Sequence, residues 1–403
     1  MTPGRKKISG PALLAHKTYI YGEGVTALAI LKYGMVGGGE GAFIGDAHRK
    51  SINLDGKAEL VAGCFSRDWS NTQSTGKRLG IDSDRLYKDY NEMAQKEAAR
   101  DDGIDFVVVV TPNSTHFAVC KAFLEAGINV VCDKPLVFEI AEAEELIRLA
   151  KAKDLLFAVT YTYSGHVTFK HVRELIAAGE IGDIRMVMGE YPQGWLYTGD
   201  GGKQGSWRID PSLSGISNAL GDIGTHVENS VSMMTGLKIK RVLAKMDKIV
   251  PGRILDDNSV VLIEYDNGAS GTYWVSQVAI GCDNDLKVRI YGSKGSIEWS
   301  NFNSEDVIVI GEDGIRKLYR RGYGAIAPKA ASYGRLPPAH NEGYLEAMGN
   351  IYSNFCDCLC KKAAGDLKPE DIDFPGLEEG LDGVKFIHKC VESAAKGNVW
   401  VDF

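Results

Sequence analysis

The chain has 403 residues, 44% of them apolar and 25% charged, a length too great for one small core and suited to two domains. Its formal net charge of -7, with no long basic run, excludes global attraction to nucleic acid or to anionic membranes and leaves small neutral or polar molecules as the expected partners. No window of 18 apolar residues occurs and the start MTPGRKKISGPALLAHK has no continuous apolar stretch, so no membrane span and a cytoplasmic location are expected.

Residues 1–26 match no interpretable pattern and read as an N-terminal arm. From Ala27 to Val36 a strand-like run leads into GGGEGAFIGDAHRKSI, a glycine turn and a helix, and then into the strand-like ELVAGCF at Glu59 to Phe65. Gly37, Gly39 and Ala42 satisfy G-x-G-x-x-A: a tight turn, close approach of a pyrophosphate, and a small residue for helix packing. With Gly41 in the turn and Phe43 and Ile44 opening the helix, exposed N–H groups form an anion site there. At the end of the second strand stand Ser66 and Arg67, with Asp68 one place beyond the expected ribose-binding acid. Ser66 and Arg67 suit a 2'-phosphate, Arg67 equally suits the adenine, and Asp68 suits the ribose if the strand runs longer. NAD(H) is the favoured cofactor, with NADP(H) left open.

Next, DFVVVVTPNSTHFAVCKAFLEAG reads as a strand buried on both faces, a loop and a helix. Thr111, Pro112 and Asn113 lie in that loop, where Pro112 stops the strand and frees polar groups for a ligand; a turn before a capped helix is the plainer reading. INVVCDKPL is the following strand. Lys134 emerges at its end, on the rim where the reactive end of a nucleotide belongs, although a strand-end lysine is commonly just solvated. A helix at Ala141 to Lys153 and a strand within Leu155 to Tyr163 complete a doubly wound parallel sheet, giving a nucleotide domain over residues 27–155.

Residues 156–403 form the second domain. Turn signals at DNG, GSKG and EDG separate strand-like runs, predicting a large open antiparallel or mixed sheet within an α+β domain, and two C-terminal helices, Tyr344 to Ala364 and Leu377 to Lys396, are expected beneath it. EYPQGWL and WRIDP bring Trp195 and Trp207 near Gln193, Arg208 and Asp210, a composition suited to sugar rings, although either indole can serve as core. Between them and the sheet lies GDIGTHVENS. A helix from about Ile223 puts Asp222 and His226 on one face and turns Glu228 away; taken alone, the pair reads as a helix cap and a satisfied histidine. Cys356, Cys358 and Cys360 lack C-x-x-C spacing, so no metal site is expected.

The Gly37 turn, TPN with His116, CDKP, VRELIAAGEIGDIR and GDIGTH, in this order, resemble the Gfo/Idh/MocA family of oxidoreductases, with Asp133 replacing the usual Glu of E-K-P. The resemblance implies a Rossmann domain followed by an α+β domain with an open sheet, nicotinamide-dependent oxidation or reduction of sugars or cyclic polyols, and a homo-oligomer joined through that sheet. It implies Lys134 polarising the hydroxyl, His226 as acid/base and Asp222 orienting. His116, Asp133 and Lys134 join the cofactor set, and Tyr163, Gln193, Trp195, Arg208, His340 and Tyr344 join Asp222 and His226 around the substrate. A further likeness to levoglucosan and glycoside 3-dehydrogenases makes oxidation at a pyranose C3 hydroxyl the expected reaction. An inositol dehydrogenase, an enzyme recycling a tightly held nucleotide and a non-catalytic nucleotide-binding regulator on the same fold are the alternatives. A metal-dependent enzyme is set aside, because Glu228 is on the wrong helical face.

Overall fold

A computed structural model describes residues 30–198 and 208–403, so the N-terminal arm and Trp207 lie outside the described residues. The first sheet contains five parallel strands in the order β2-β1-β3-β4-β5. These are β1 (Leu31–Gly37), β2 (Ala58–Cys64), β3 (Phe106–Val110), β4 (Asn129–Cys132) and β5 (Phe157–Val159). Because β2 and β3 lie on opposite sides of β1, the chain reverses direction across the sheet there, and a crevice opens beyond the strand ends. All five residues of β3, FVVVV, are buried, as a central strand covered on both faces requires.

The helices on this sheet are α1 (Phe43–Asn53), α2 (Trp69–Leu79), α3 (Tyr90–Ala98), α4 (His116–Glu125) and α5 (Ile140–Ala152). After α6 (Val167–Ala177) comes β6 (Ile184–Pro192), which opens the second sheet. A short helix α7 (Pro211–Ser214), a π-helical turn (Leu220–Gly224) and α8 (Thr225–Thr235) precede β7 (Ile239–Asp247), β8 (Asn258–Tyr265) and β9 (Ser270–Ser276). Then follow β10 (Lys287–Gly292), β11 (Gly295–Ser300), β12 (Asp306–Gly311), β13 (Arg316–Arg320) and α9 (Pro328–Ala331). The chain closes with α10 (Tyr344–Ala364), α11 (Leu377–Ala395) and β14 (Val401–Asp402). The second sheet runs β13-β12-β11-β10-β6-β9-β8-β7-β14, and only its β6/β9 pair is parallel. It is therefore mixed.

The expectation for the C-terminal helices needs correction. Met348, Ile351, Tyr352 and Phe355 of α10 pack with Tyr33, Phe106 and Val108 on the first sheet, so α10 covers the nucleotide domain and not the second sheet. α11 lies between the two units, against β7 and α8 on one side and α5 on the other. Periodicity reveals that a helix has an apolar face but not which sheet that face meets. Cys356 and Cys358 are buried in the same α10 cluster.

Burial lowers the pKa of His166 and of His171 to about 4, and that of His48 also falls. His171 accepts the Ala327 N–H on Nδ1 at 3.2 Å, a bond that needs its unprotonated form. The stability from keeping these rings neutral is complete above the unfolded value near 6.5 and is lost as pH falls toward 4, where the unfolded chain alone takes up protons. Glu228, whose pKa burial raises, acts in the opposite sense. Replacing His166 by glutamine should therefore reduce the slope of unfolding free energy between pH 6.5 and 4 by up to ~1.4 kcal/mol per pH unit, measured by denaturant unfolding. An unchanged slope would mean that His166 is protonated in the fold.

Candidate active site

The glycine turn after β1 borders a cavity of ≈ 510 Å³. Of the residues expected to hold a nucleotide, Gly37, Gly39, Ala42, Ser66, Arg67, Thr111 and Pro112 line it. Gly37 has φ 86, and a Cβ there would come within 2.7 Å of the Val110 carbonyl oxygen, so the tight turn requires glycine. The packing role expected of Ala42 belongs instead to Gly45, where a Cβ would stand 2.4 Å from Gly38 Cα. Ala42 is the N-cap of α1, with no side-chain cap, which leaves first-turn N–H groups available to an anion. These features fit a dinucleotide.

Other expected ligands sit elsewhere. Gly41 (φ 83) shapes the turn, Phe43 is 71% exposed and Ile44 packs on the core, none of them walling the cavity. Asn113 begins a 3-10 turn, Asn113–Thr115, of which Ser114 and Thr115 face the cavity instead. His116 is fully buried. Its ring nitrogens meet the carbonyls of Pro135 and Thr111 at 2.9 and 3.0 Å, so it ties the two rim loops together and is not among the residues that line the cavity. Asp68 caps α2 through the Ser70 N–H at 2.9 Å and is absent from the cavity wall. Lys88, Asp89 and Tyr90 line the cavity unforeseen, because the start of α3, which carries them there, has no motif.

Lys134 leaves the end of β4 with its backbone N–H held by Asp133 Oδ1 at 2.9 Å. The same oxygen accepts the Thr160 hydroxyl at 2.9 Å, so the shorter Asp still fixes this turn. The Lys134 ammonium donates to Asp222 Oδ1 and to the Asp222 carbonyl, each at 2.7 Å. Asp222 Oδ2 accepts from Arg208 Nε and from Gln277 Nε2, both at 2.9 Å. Burial pushes the Asp222 carboxyl up, but the charges of Arg208 and Lys134 together outweigh it and hold it well below the ordinary range. It is ionised throughout the neutral range.

The helical run carrying Asp222 begins earlier than expected, since Ala219 is already helical at φ -62, ψ -45. Asp256 stabilises its start, accepting from Ser217 Oγ, Asn218 N and Leu220 N at 2.7 to 2.9 Å. Asp222 is thus released from capping, and the π-helical turn runs directly into α8 and His226. His226 makes no hydrogen bond to Asp222; its Nδ1 is buried without a partner. The rings of Tyr163, Tyr161 and Tyr191 stand edge-on to it at 5.0, 5.7 and 6.0 Å. Burial first, and the Lys134 charge second, lower its pKa well below the ordinary histidine value, so it is neutral and able to accept a proton.

Tyr163 also meets the Tyr344 ring at 6.3 Å and hydrogen-bonds Tyr191. Tyr191 and Gln193 donate to Asn284 Oδ1 at 3.3 and 2.5 Å, and Trp195 Nε1 donates to Gln193 Oε1 at 2.7 Å. Trp195 is 38% exposed with Arg208 5.3 Å from its ring, which removes it from the core. His340 departs from expectation: it is exposed, with Nδ1 3.1 Å from the Pro338 carbonyl, and contributes no hydrogen bond or ring contact to this group. Asp210 caps α7. Glu228 faces Asp382, Lys238 and Glu379, apart from Lys134 and Asp222. Among the described residues no cluster of three or more His, Cys, Asp or Glu is arranged to hold a metal, and no helix is long and apolar enough to cross a membrane. Gln277, Tyr191 and Asn284 escaped prediction; Gln277 left one faint signal, a polar residue just past the strand-like run TYWVS.

The first domain carries a cavity that fits a dinucleotide, and the chain belongs to the Gfo/Idh/MocA family. The description "Oxidoreductase family, NAD-binding Rossmann fold" matches residues 31–161, and "GFO/IDH/MocA C-terminal domain" matches residues 169–298. An uncharacterized oxidoreductase of Bacillus subtilis, YfiI, is 40% identical over 382 residues, covering 93% of this chain and 97% of the relative. Levoglucosan dehydrogenase of Pseudarthrobacter phenanthrenivorans is 28% identical, with 75% of this chain and 80% of the relative covered. The crystal structure of an inositol dehydrogenase homolog from Azotobacter vinelandii, complexed with NADH and myo-inositol, superposes with a TM-score of 0.87 at 37% identity, covering 93% of this chain and 97% of that one. The chain is an NAD-binding oxidoreductase.

Proposed function

We propose that this protein oxidises a secondary ring hydroxyl of a pyranose sugar or glycoside, at C3, to the ketone with NAD as acceptor. The observation that supports the reading is the grouping of Lys134, Asp222 and His226, with Lys134 just past the end of β4 bonded to Asp222 and its charge felt at His226. Bound nicotinamide supplies the hydride acceptor. Gly37, Gly39, the first turn of α1, Ser66, Arg67 and Thr111 hold the nucleotide. Lys134 donates to the substrate hydroxyl and favours its alkoxide, neutral His226 takes the proton, and Asp222 fixes the lysine. Trp195 offers an indole face and Gln193 a polar partner to the ring. Exposed Met186, Met188, Val260 and Leu262, lying outward from the second-sheet core, support a homo-oligomer through that face.

A cyclitol substrate is the second reading, favoured by 37% identity to the inositol dehydrogenase homolog over 93% of this chain against 26% to the levoglucosan dehydrogenase structure over 92%. Both substrates present a secondary alcohol on a six-membered ring. A panel of glucosides, levoglucosan and myo-inositol, each assayed with NAD and with NADP by absorbance at the NADH band, separates them. The glycoside reading expects turnover of a glucoside with NAD preferred; activity on free inositols alone would replace it with the cyclitol. Nucleotide binding without turnover of any ring alcohol would leave a binding protein on the same fold.

A further inference from the structure

One wall of the nucleotide cavity comes from outside the first domain. Leu213, in α7, lines it, whereas every other lining residue falls between Val36 and Val119. α7 packs on the Asn113–Thr115 turn, and Gly215 just after it (φ 88) lies against Phe138, to whose ring a Cβ would approach within 3.2 Å. The segment is internally braced: Asp210 accepts the Ser212 N–H at 2.9 Å, and the Ser214 hydroxyl donates to the Arg208 carbonyl at 2.7 Å. Its first residue, Arg208, reaches Asp222 Oδ2 at 2.9 Å. A single braced stretch of eight residues thus touches the nucleotide cavity at one end and the lysine-aspartate centre at the other. Leu213 is only half-buried, so its isobutyl group keeps apolar surface for a molecule in the cavity to cover.

We propose that Arg208–Gly215 is a clasp in which Leu213 retains the nucleotide and the Arg208–Asp222 pair holds the clasp down, so that nucleotide release is governed from the substrate pocket. The inference rests on the reading that this cavity takes NAD(H) and that Asp222 belongs to the substrate pocket. Any contact that holds the segment at Asp222 slows loss of the nucleotide, and the nucleotide reciprocally stabilises the pocket.

The test is the dissociation rate of NADH from the full-length protein, read by stopped-flow fluorescence during a chase with excess NAD. Leu213→Ala should raise the rate by roughly 5- to 20-fold, as loss of apolar contact to the ligand implies. Leu213→Met, which keeps the apolar bulk, should stay within twofold of the parent. Arg208→Met, at a residue that does not line the cavity, should also raise the rate. A rate within twofold of the parent in either Leu213→Ala or Arg208→Met overturns the clasp, and so does a Leu213→Met rate as high as that of the alanine variant. If the parent protein fails to bind NADH at all, the cofactor assignment of the cavity falls first and the clasp with it.

Discussion

Replacing His226 by alanine should lower kcat by roughly 10² to 10⁴, the range for loss of a positioned general base, while NADH binding stays within twofold of the parent. The ring is neutral because burial, reinforced by the nearby Lys134 ammonium, disfavours its charged form. The linkage has a definite sign. A base with a depressed pKa stays active as pH falls below 6.5, so the acid limb of kcat/KM for oxidation should lie below that value in the parent and vanish in the variant. Near-parental turnover in His226→Ala would remove this residue from the role, and an acid limb surviving in the variant would assign that limb to another group.

Lys134→Met should lower kcat by about 10² to 10³, comparable to removal of one charged donor aimed at a developing oxyanion. The Lys134 side chain is 16% exposed and paired with Asp222, whose side chain is 15% exposed, so water does not replace it well. Two further consequences separate its role from mere binding. Because the Lys134 charge depresses the pKa of His226, its removal should move the acid limb to higher pH. Asp222 keeps Arg208 and Gln277, so the fold around it should persist and thermal stability should change little. A rise in KM with kcat unchanged would make Lys134 a binding residue only.

The local chemistry of this chain was written in its residues. A run such as FVVVV cannot be solvated on either face, so its place at the centre of a parallel sheet follows from composition alone. The turn at Gly37 needs positive φ, and glycine supplies it; CDKP puts a lysine at a strand end; GDIGTH brings acid and base onto one helical run. Those features were enough to point to a nucleotide crevice and to name three polar residues expected near it. Spacing could not say what each polar group meets. Asp222 and His226 looked like partners four residues apart, yet Asp222 pairs with Lys134, 88 residues away, and with Arg208 and Gln277.

His116 shows the same limit from the other side: its motif suggested a ligand contact, while burial between two carbonyls gives it a bracing role. Asp256 and Asn284 carried no motif at all, because a carboxylate that anchors a helix start or an amide that links Tyr191 to Gln193 is defined only by what folds against it. The sequence alone indicated the strand-turn-helix order around the glycine turn, the β-rich second half and a set of residues with chemistry to offer, since backbone preference, hydrophobic period and functional groups are local. Only the tertiary structure decided that α10 covers the first sheet, that Leu213 lines the cavity beside the glycine turn and that Lys134 is held by Asp222. Each of these depends on which surfaces are excluded from water together, and that is a property of the packed chain as a whole.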